Sequence, residues 1–262
     1  MHAEPQSQAD LRLQLAELQQ EQRQLVEGLR QGQAYFQQLG RSVWRVQEEE
    51  RRRLARELHD SVGPNLTAMI HLIASSLAAL PTSPQNAALR DLLGRAHSIG
   101  ESTLRDTREM SRLLRPQILD DLGLEQALRW LVRSCGENHT LDISFDFSEP
   151  PLPLDNDRST LVFRVAQEAL TNIVRHAKAS HVEVAFTADA QKATLLVFDD
   201  GRGCDVEVAL AAGSNGSGGG LGGMRDRMRL FGGTLRTEST PGHGFRIEVM
   251  LPLQDVASRA LA

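Results

Sequence analysis

Gln167-Glu168-Ala169-Leu170-Thr171-Asn172-Ile173-Val174-Arg175-His176-Ala177-Lys178 sets Glu168, Asn172 and His176 four residues apart. In a helix this spacing brings all three to one face. An ordinary amphipathic helix would leave that face in solvent. A carboxylate and an amide oxygen one turn apart can also hold Mg²⁺ against substrate phosphates, directly or through its waters. His176 and Lys178 would then meet the anionic chain. On this stretch alone both readings stand.

Three further patches lie downstream, each ambiguous by itself. Val197-Phe198-Asp199-Asp200-Gly201-Arg202-Gly203 runs from a strand pattern into Asp and two glycines, which is also an ordinary turn. Gly216-Ser217-Gly218-Gly219-Gly220-Leu221-Gly222-Gly223-Met224 is a glycine run entering a helix. Its backbone N–H groups could approach phosphates closely, or it could be a plain linker. Pro241-Gly242-His243-Gly244-Phe245 precedes another strand and could be a hairpin loop. Around these patches, strands are expected at 141–147, 182–187, 193–198, 234–237 and 245–251, with helices at about 122–137, 156–177 and 221–230. Five strands without strict strand–helix alternation predict a sheet covered on one face, an α+β sandwich.

Taken in order, Glu-x-x-x-Asn on a helix, Asp-x-Gly-x-Gly after a strand, Gly-x-Gly-Leu and Gly-x-Gly closely resemble the four nucleotide boxes of the GHKL ATPase superfamily. The resemblance implies the Bergerat fold with ATP and Mg²⁺ as cofactors. It implies adenine recognition by Asp199, close approach of the ring at Gly201 and Gly203, and Mg²⁺ bound through Asn172 and Glu168. Gly218, Gly220 and Leu221, with Gly242 and Gly244 of the last box, would complete the nucleotide site, and residues 209–220 would form a lid over the phosphates. Lys178, Arg225 and Arg227 are the cations to watch.

Upstream, the chain reads as all helix. Leu11, Leu15, Leu18, Leu25, Leu29, Phe36, Leu39, Val43 and Val46 recur in steps of mostly three, four and seven, a coiled-coil repeat broken at Gln22 and Gly32. A solitary amphipathic helix is the alternative. Glu48-Glu49-Glu50-Arg51-Arg52-Arg53 reads as a solvated face with Glu48–Arg52 and Glu49–Arg53 pairs. Apolar steps from Leu54 to Leu80 extend the helix to Pro81; a second helix follows and Pro116 closes it. As a dimer this hairpin would form a four-helix bundle.

Within the hairpin, Glu50-Arg-Arg-Arg-Leu54-Ala-Arg-Glu-Leu-His59-Asp60 resembles the phosphoacceptor box of the histidine kinases typified by the nitrate and membrane-fluidity sensors. Arg115-Pro116-x-x-Leu119-Asp-Asp-Leu-Gly123-Leu124 resembles that subfamily's junction between bundle and ATPase domain. The resemblance implies a homodimer that autophosphorylates His59. Asp60 would serve as general base, with Glu168 a further catalytic candidate. The phosphate would pass to an aspartate of a response regulator with a helix-turn-helix output domain. Two positions depart from the pattern. Pro64-Asn65 stands where many members carry Gln, and Phe245 stands where Thr commonly follows the second glycine. The boxes also leave open a GHKL ATPase or serine kinase without histidine transfer, or a degenerate dimeric scaffold.

The expected layout is an α+β multidomain chain. It comprises a coiled-coil signalling helix (1–46), a dimerisation and phosphotransfer hairpin (47–116), a catalytic ATP-binding domain (117–254) and a tail (255–262). A net charge of −5 and pI near 5.9 supply no basic field for direct nucleic-acid binding. The two cysteines, Cys135 and Cys204, lack a metal-ligand spacing and point to a reducing compartment. The longest apolar run, 69–80, contains His71, Ser75 and Ser76 and falls short of the roughly 20 residues of a membrane span. A cytoplasmic protein without a membrane span is expected.

Overall fold

The computed structural model describes residues 4–114, 117–139, 141–151, 154–206 and 220–253. A helical arm leads into an α/β domain. Helix α1 spans Glu4–Glu57, a π-helical turn spans Leu58–Val62, and α2 follows as Gly63–Ala79. After a 3₁₀ turn at Pro84–Asn86, α3 (Ala87–Leu114) returns along α2. Gly100 permits this approach, since a Cβ there would lie 2.9 Å from Cγ1 of Ile70.

The second domain contains α4 (Gln117–Asp121), α5 (Gly123–His139), β1 (Asp142–Phe147), α6 (Asn156–Asn172), a second π-helical turn (Ile173–Ala177), β2 (His181–Ala188), β3 (Lys192–Asp199), α7 (Gly220–Leu230), β4 (Thr234–Ser239) and β5 (Phe245–Pro252). The sheet order is β1-β2-β3-β5-β4, with β1 parallel to β2 and the other pairs antiparallel. Parallel pairing of β1 with β2 requires a crossover, which α6 provides.

Strand alternation decides which face is covered. Val182, Val184 and Phe186 of β2, Ala193, Leu195 and Val197 of β3, and Ile247, Val249 and Leu251 of β5 are all buried. They join Leu128 of α5, Leu161 and Val165 of α6, and Met224 and Met228 of α7 in one core. Each such large side chain contributes about 1.5–3 kcal/mol by leaving water. Asp155 caps α6 by accepting the N–H of Arg158 at 2.8 Å, so the helix starts at a fixed point above the sheet.

In the arm, the apolar repeat lies largely open. Leu15, Leu18, Leu25, Leu29, Phe36, Val43 and Val46 are exposed on α1, as are Met69, Leu72, Leu92 and Ile99 on the hairpin. The side chain of Leu11 lies outside the described residues. One helical run, Gln14–Ala79, contains an 18-residue window of mean hydropathy 1.3 with no more than two charged residues, enough by length and composition to cross a membrane. Length and composition are all that mark it, and core helices of soluble proteins carry the same mark.

The charged run before His59 also differs from expectation. The pairs Glu48–Arg52 and Glu49–Arg53 do not form. Glu48 is buried against Arg164 of α6, Arg52 reaches Asp120 at 3.2 Å, and Arg53 bonds Glu50 and Glu57. The reason is tertiary: α6 and α4 bring opposite charges to a face that would be solvated in an isolated helix.

Candidate nucleotide and phosphoacceptor sites

A cavity of about 590 Å³ opens where α6 and its π turn face the ends of β3 and β5. Glu168, Asn172 and His176 all line it, together with Asp199, Gly203, Gly220 and Leu221. The four-residue spacing thus reaches one wall, although the last step passes through the π turn.

Asp199 ends β3 and is 1% exposed. Its carboxylate accepts the Gly201 N–H at 2.9 Å. Burial pushes its pKa up, the Gly201 hydrogen bond opposes this, and neighbouring Asp200 adds to the rise. A buried carboxylate with acceptor capacity facing a cavity suits recognition of an amino group, such as that of adenine. Asp200 differs sharply. It faces outward and accepts the backbone N–H of His181 and the hydroxyl and N–H of Ser180, which together hold its pKa down at about 2.

The box glycines are packed against neighbouring backbone. A Cβ on Gly201 would sit 2.5 Å from the Ala177 carbonyl, one on Gly203 would strike the Thr240 carbonyl, and one on Gly244 would strike the Asp199 carbonyl. Gly203 and Gly244 also adopt φ of +59° and +76°, where L side chains are strained. Their bareness lets three chain segments interlock: Arg202 donates to Ala177 O, Gly242 to Arg202 O and Gly244 to Gly201 O, and Gly203 also lines the cavity. Gly201, Gly242 and Gly244 therefore support the cavity without lining it. Ser239 joins the same knot by donating to Gly244 O at 2.7 Å.

Gly220 starts α7 and gives its N–H to Glu168 at 2.9 Å. Lys178 is exposed with φ +53°, terminates the π turn, and is not among the cavity's lining residues. Its left-handed backbone turns the chain into β2. Gly218 and the glycine run before Gly220 lie outside the described residues, as does most of the expected lid.

Residues not singled out from sequence also line the cavity: Arg175, Arg202, Cys204, Ala169, Ile173 and Ile247. Val197 and Ile247 could have been inferred from strand alternation, and Arg202 from its place between the two glycines. Phe245, the departure from the family pattern, lines the cavity where β5 pairs with Asp199.

Oxygen donors suited to Mg²⁺ are present at Asn172 and Glu168, although one Glu168 oxygen is engaged by Gly220. Among the described residues no cluster of three or more His, Cys, Asp or Glu could hold a metal. The ion would therefore take most of its ligands from phosphates and water, as Mg²⁺ commonly does. Arg227 of α7 is pushed below its usual pKa by burial, with Glu168 opposing.

His59 and Asp60 lie on the first π turn, both exposed. Pro64 has no N–H to return to Asp60, and Gly63 donates instead to Leu58, five residues back. His59 borders a separate groove of about 420 Å³ with Pro64, Thr67, His71, Thr107 and Arg108. The two cavities share no lining residue.

Residues 157–255 match the Histidine kinase-, DNA gyrase B-, and HSP90-like ATPase family, and residues 50–119 match the Histidine kinase family. Sensor histidine kinase MctS of Rhizobium johnstonii is 36% identical over 208 residues, covering 79% of this chain and 44% of that protein. Signal transduction histidine-protein kinase/phosphatase UhpB of Salmonella typhimurium is 34% identical over 233 residues, covering 88% of this chain and 44% of that protein. The histidine kinase domain of the Erythrobacter litoralis EL346 blue-light activated histidine kinase superposes with a TM-score of 0.43 at 18% identity, over 72% of this chain and 94% of that one. The chain belongs to the histidine kinases, of the nitrate-sensor type. It spans less than half the length of the two curated relatives.

Proposed function

We propose that this chain is the transmitter part of a two-component sensor kinase, which phosphorylates His59 from Mg-ATP and passes the phosphoryl group to a response-regulator aspartate. One observation carries the reading: a cavity floored by buried Asp199 occurs in the same chain as an exposed His59-Asp60 pair on a phosphoacceptor-type helix.

Asp199 accepts from the adenine amino group, and its burial excludes competing water. Asn172 and Glu168 would hold Mg²⁺, which would neutralise charge on the phosphates. Asp60 orients the His59 ring and takes the Nδ1 proton, so that Nε2 can bond to the γ-phosphorus as the bond to the β-bridging oxygen breaks and ADP departs. The exposed seams of α1 and the hairpin support a homodimer, since an unpartnered apolar stripe is covered at little cost by a second copy. A regulator with a helix-turn-helix output domain and a cytoplasmic location for this portion complete the reading. No direct nucleic-acid contact is proposed, given the acidic balance.

Incubation with labelled Mg-ATP tests it. The expected product is an acid-labile, base-stable phosphate that disappears in His59→Gln, and transfer to a regulator follows. An acid-stable label on serine would overturn the reading in favour of a serine kinase.

A further inference from the structure

Thr67, Thr107 and Ser111 bring hydroxyls to the groove beside His59. Two of them follow the usual habit of a hydroxyl inside a helix and bond the carbonyl one turn back on their own helix. Thr67 donates to Gly63 O at 2.9 Å and Thr107 to Thr103 O at 2.8 Å. Thr103 does the same with Ile99 O at 2.8 Å. Ser111 is the next member of this four-residue series along α3, yet its hydroxyl leaves the helix. It crosses to α1 and donates to the Ala55 carbonyl at 2.9 Å, 56 residues away.

The crossing bond lands at a chosen place. Ala55 is 3% exposed and stands one turn before His59, so the two project toward the same side of the helix. Its carbonyl belongs to the last stretch of α1, which ends at Glu57 where the π turn of Leu58–Val62 begins. A carbonyl oxygen has two lone pairs, so Ala55 O can take the Ser111 hydroxyl together with an N–H of its own helix. A side chain inserted beside the hydrogen-bond ladder distorts the helix locally. Pro64 acts from the other end, since it returns no N–H to Asp60. The widened turn is thus bracketed by Ser111 before it and Pro64 after it, and both residues line the groove with His59.

His59 and Asp60 are exposed on the bracketed segment, so the backbone beneath them governs where the ring points. Phosphoryl transfer is sensitive to that direction, because a misplacement of about 1 Å can cost about 100-fold in rate. We propose that Ser111 is a positioning residue for His59. Its bond to Ala55 pins α1 to α3 where the π turn begins and so fixes how the ring and Asp60 are presented. The proposal rests on the kinase reading above. Ser111 itself touches no reacting atom.

The test compares Ser111→Ala with Ser111→Thr in the full chain. Ala is the better helix former, so the fold should hold, which circular dichroism checks. Ser111→Ala should lower the maximal rate of His59 phosphorylation about tenfold and leave the ATP concentration for half-maximal rate unchanged. Ser111→Thr keeps the hydroxyl and should stay within about twofold of the parent. With Pro64→Ala in place the turn is no longer widened, and adding Ser111→Ala should change the rate by less than about twofold, since two residues acting on one turn are not additive. The role is overturned if Ser111→Ala leaves the maximal rate level, if it shifts the ATP requirement instead, if Ser111→Thr is equally slow, or if the loss is as large beside Pro64→Ala. Should the extra methyl unfold Ser111→Thr, the comparison in the Pro64→Ala background decides. A second readout needs no nucleotide: labelling of His59 by diethyl pyrocarbonate, measured by mass spectrometry against exposed His243, should change in Ser111→Ala and return in Ser111→Thr. Equal labelling in parent and Ser111→Ala overturns the positioning role. Absence of histidine phosphate in the parent would overturn the kinase reading, while the labelling still decides whether Ser111 governs the presentation of His59.

Discussion

Among the described residues are two five-residue π-helical turns, each carrying a histidine beside a cavity, and their surroundings are opposite. The turn at Leu58–Val62 has no buried residue and interrupts a helix that otherwise continues. The turn at Ile173–Ala177 buries Ile173 and Ala177 and ends its helix. A local cause accounts for the first, because Pro64 cannot donate to Asp60. The second is fixed by tertiary partners: Ala177 O accepts from Arg202 and lies against Gly201, and Lys178 in the left-handed region turns the chain away. Widened turns of this kind are frequent at functional sites. The first turn has a local backbone cause, whereas the second is held by the interlocked glycine segments.

Breaking the second turn's surroundings should have the largest effect. Gly244→Ala adds a side chain at positive φ that strikes the Asp199 carbonyl, and should destabilise the catalytic domain by about 3 kcal/mol or more. Gly242→Ala, at φ +86° with open space around it, should cost only about 1 kcal/mol. Urea denaturation of the two variants measures the difference.

Asp199→Asn leaves the knot in place and changes the floor alone. Nucleotide affinity should fall by about 100-fold in a titration, because an acceptor at the amino group is replaced by a group that can present a donor. Stability should move the other way. The folded pKa of Asp199 is raised, so ionisation at neutral pH costs stability; the cost vanishes below the ordinary value of 3.8. Asp199→Asn should therefore melt higher than the parent at pH 7, with the gap closing as pH falls toward 3.8 and below.

Pro64→Ala addresses the first turn. Restoring an N–H that can bond to Asp60 should stabilise the arm by about 1 kcal/mol and change the rate of His59 phosphorylation. An unchanged rate would show that the π turn does not govern how His59 is presented. The smallest effect is expected at the end of the second turn. Lys178→Gly relieves left-handed strain, with a net gain of about 0.5 kcal/mol in thermal denaturation, and should leave nucleotide affinity unaltered because Lys178 does not line the cavity.

Much of this was legible before any coordinates. The five strands appear within one or two residues of their alternating patterns, because period-two burial is written directly into β2, β3 and β5. Glu168, Asn172 and Asp199 were readable as site residues through the order of the four boxes and the resemblance it carries, since each patch alone also had an ordinary structural reading. The π turn at Ile173–Ala177 was not legible, since it depends on Ala177 meeting Gly201 across 24 residues. Nor was the burial of Glu48. Three glutamates before three arginines look self-sufficient along a helix, and only Arg164, 116 residues away, makes one of them a core residue.

The sequence by itself determined the nucleotide boxes, the phosphoacceptor helix and the sheet, because each rests on local periodicity, residue chemistry and short spacing. Only the tertiary structure decided that the box glycines lock chain segments together, and that α1 has a second face seated on the catalytic domain. Both depend on contacts between residues far apart in the chain, where what matters is which backbone carbonyl or opposite charge arrives, and no spacing along one segment encodes that.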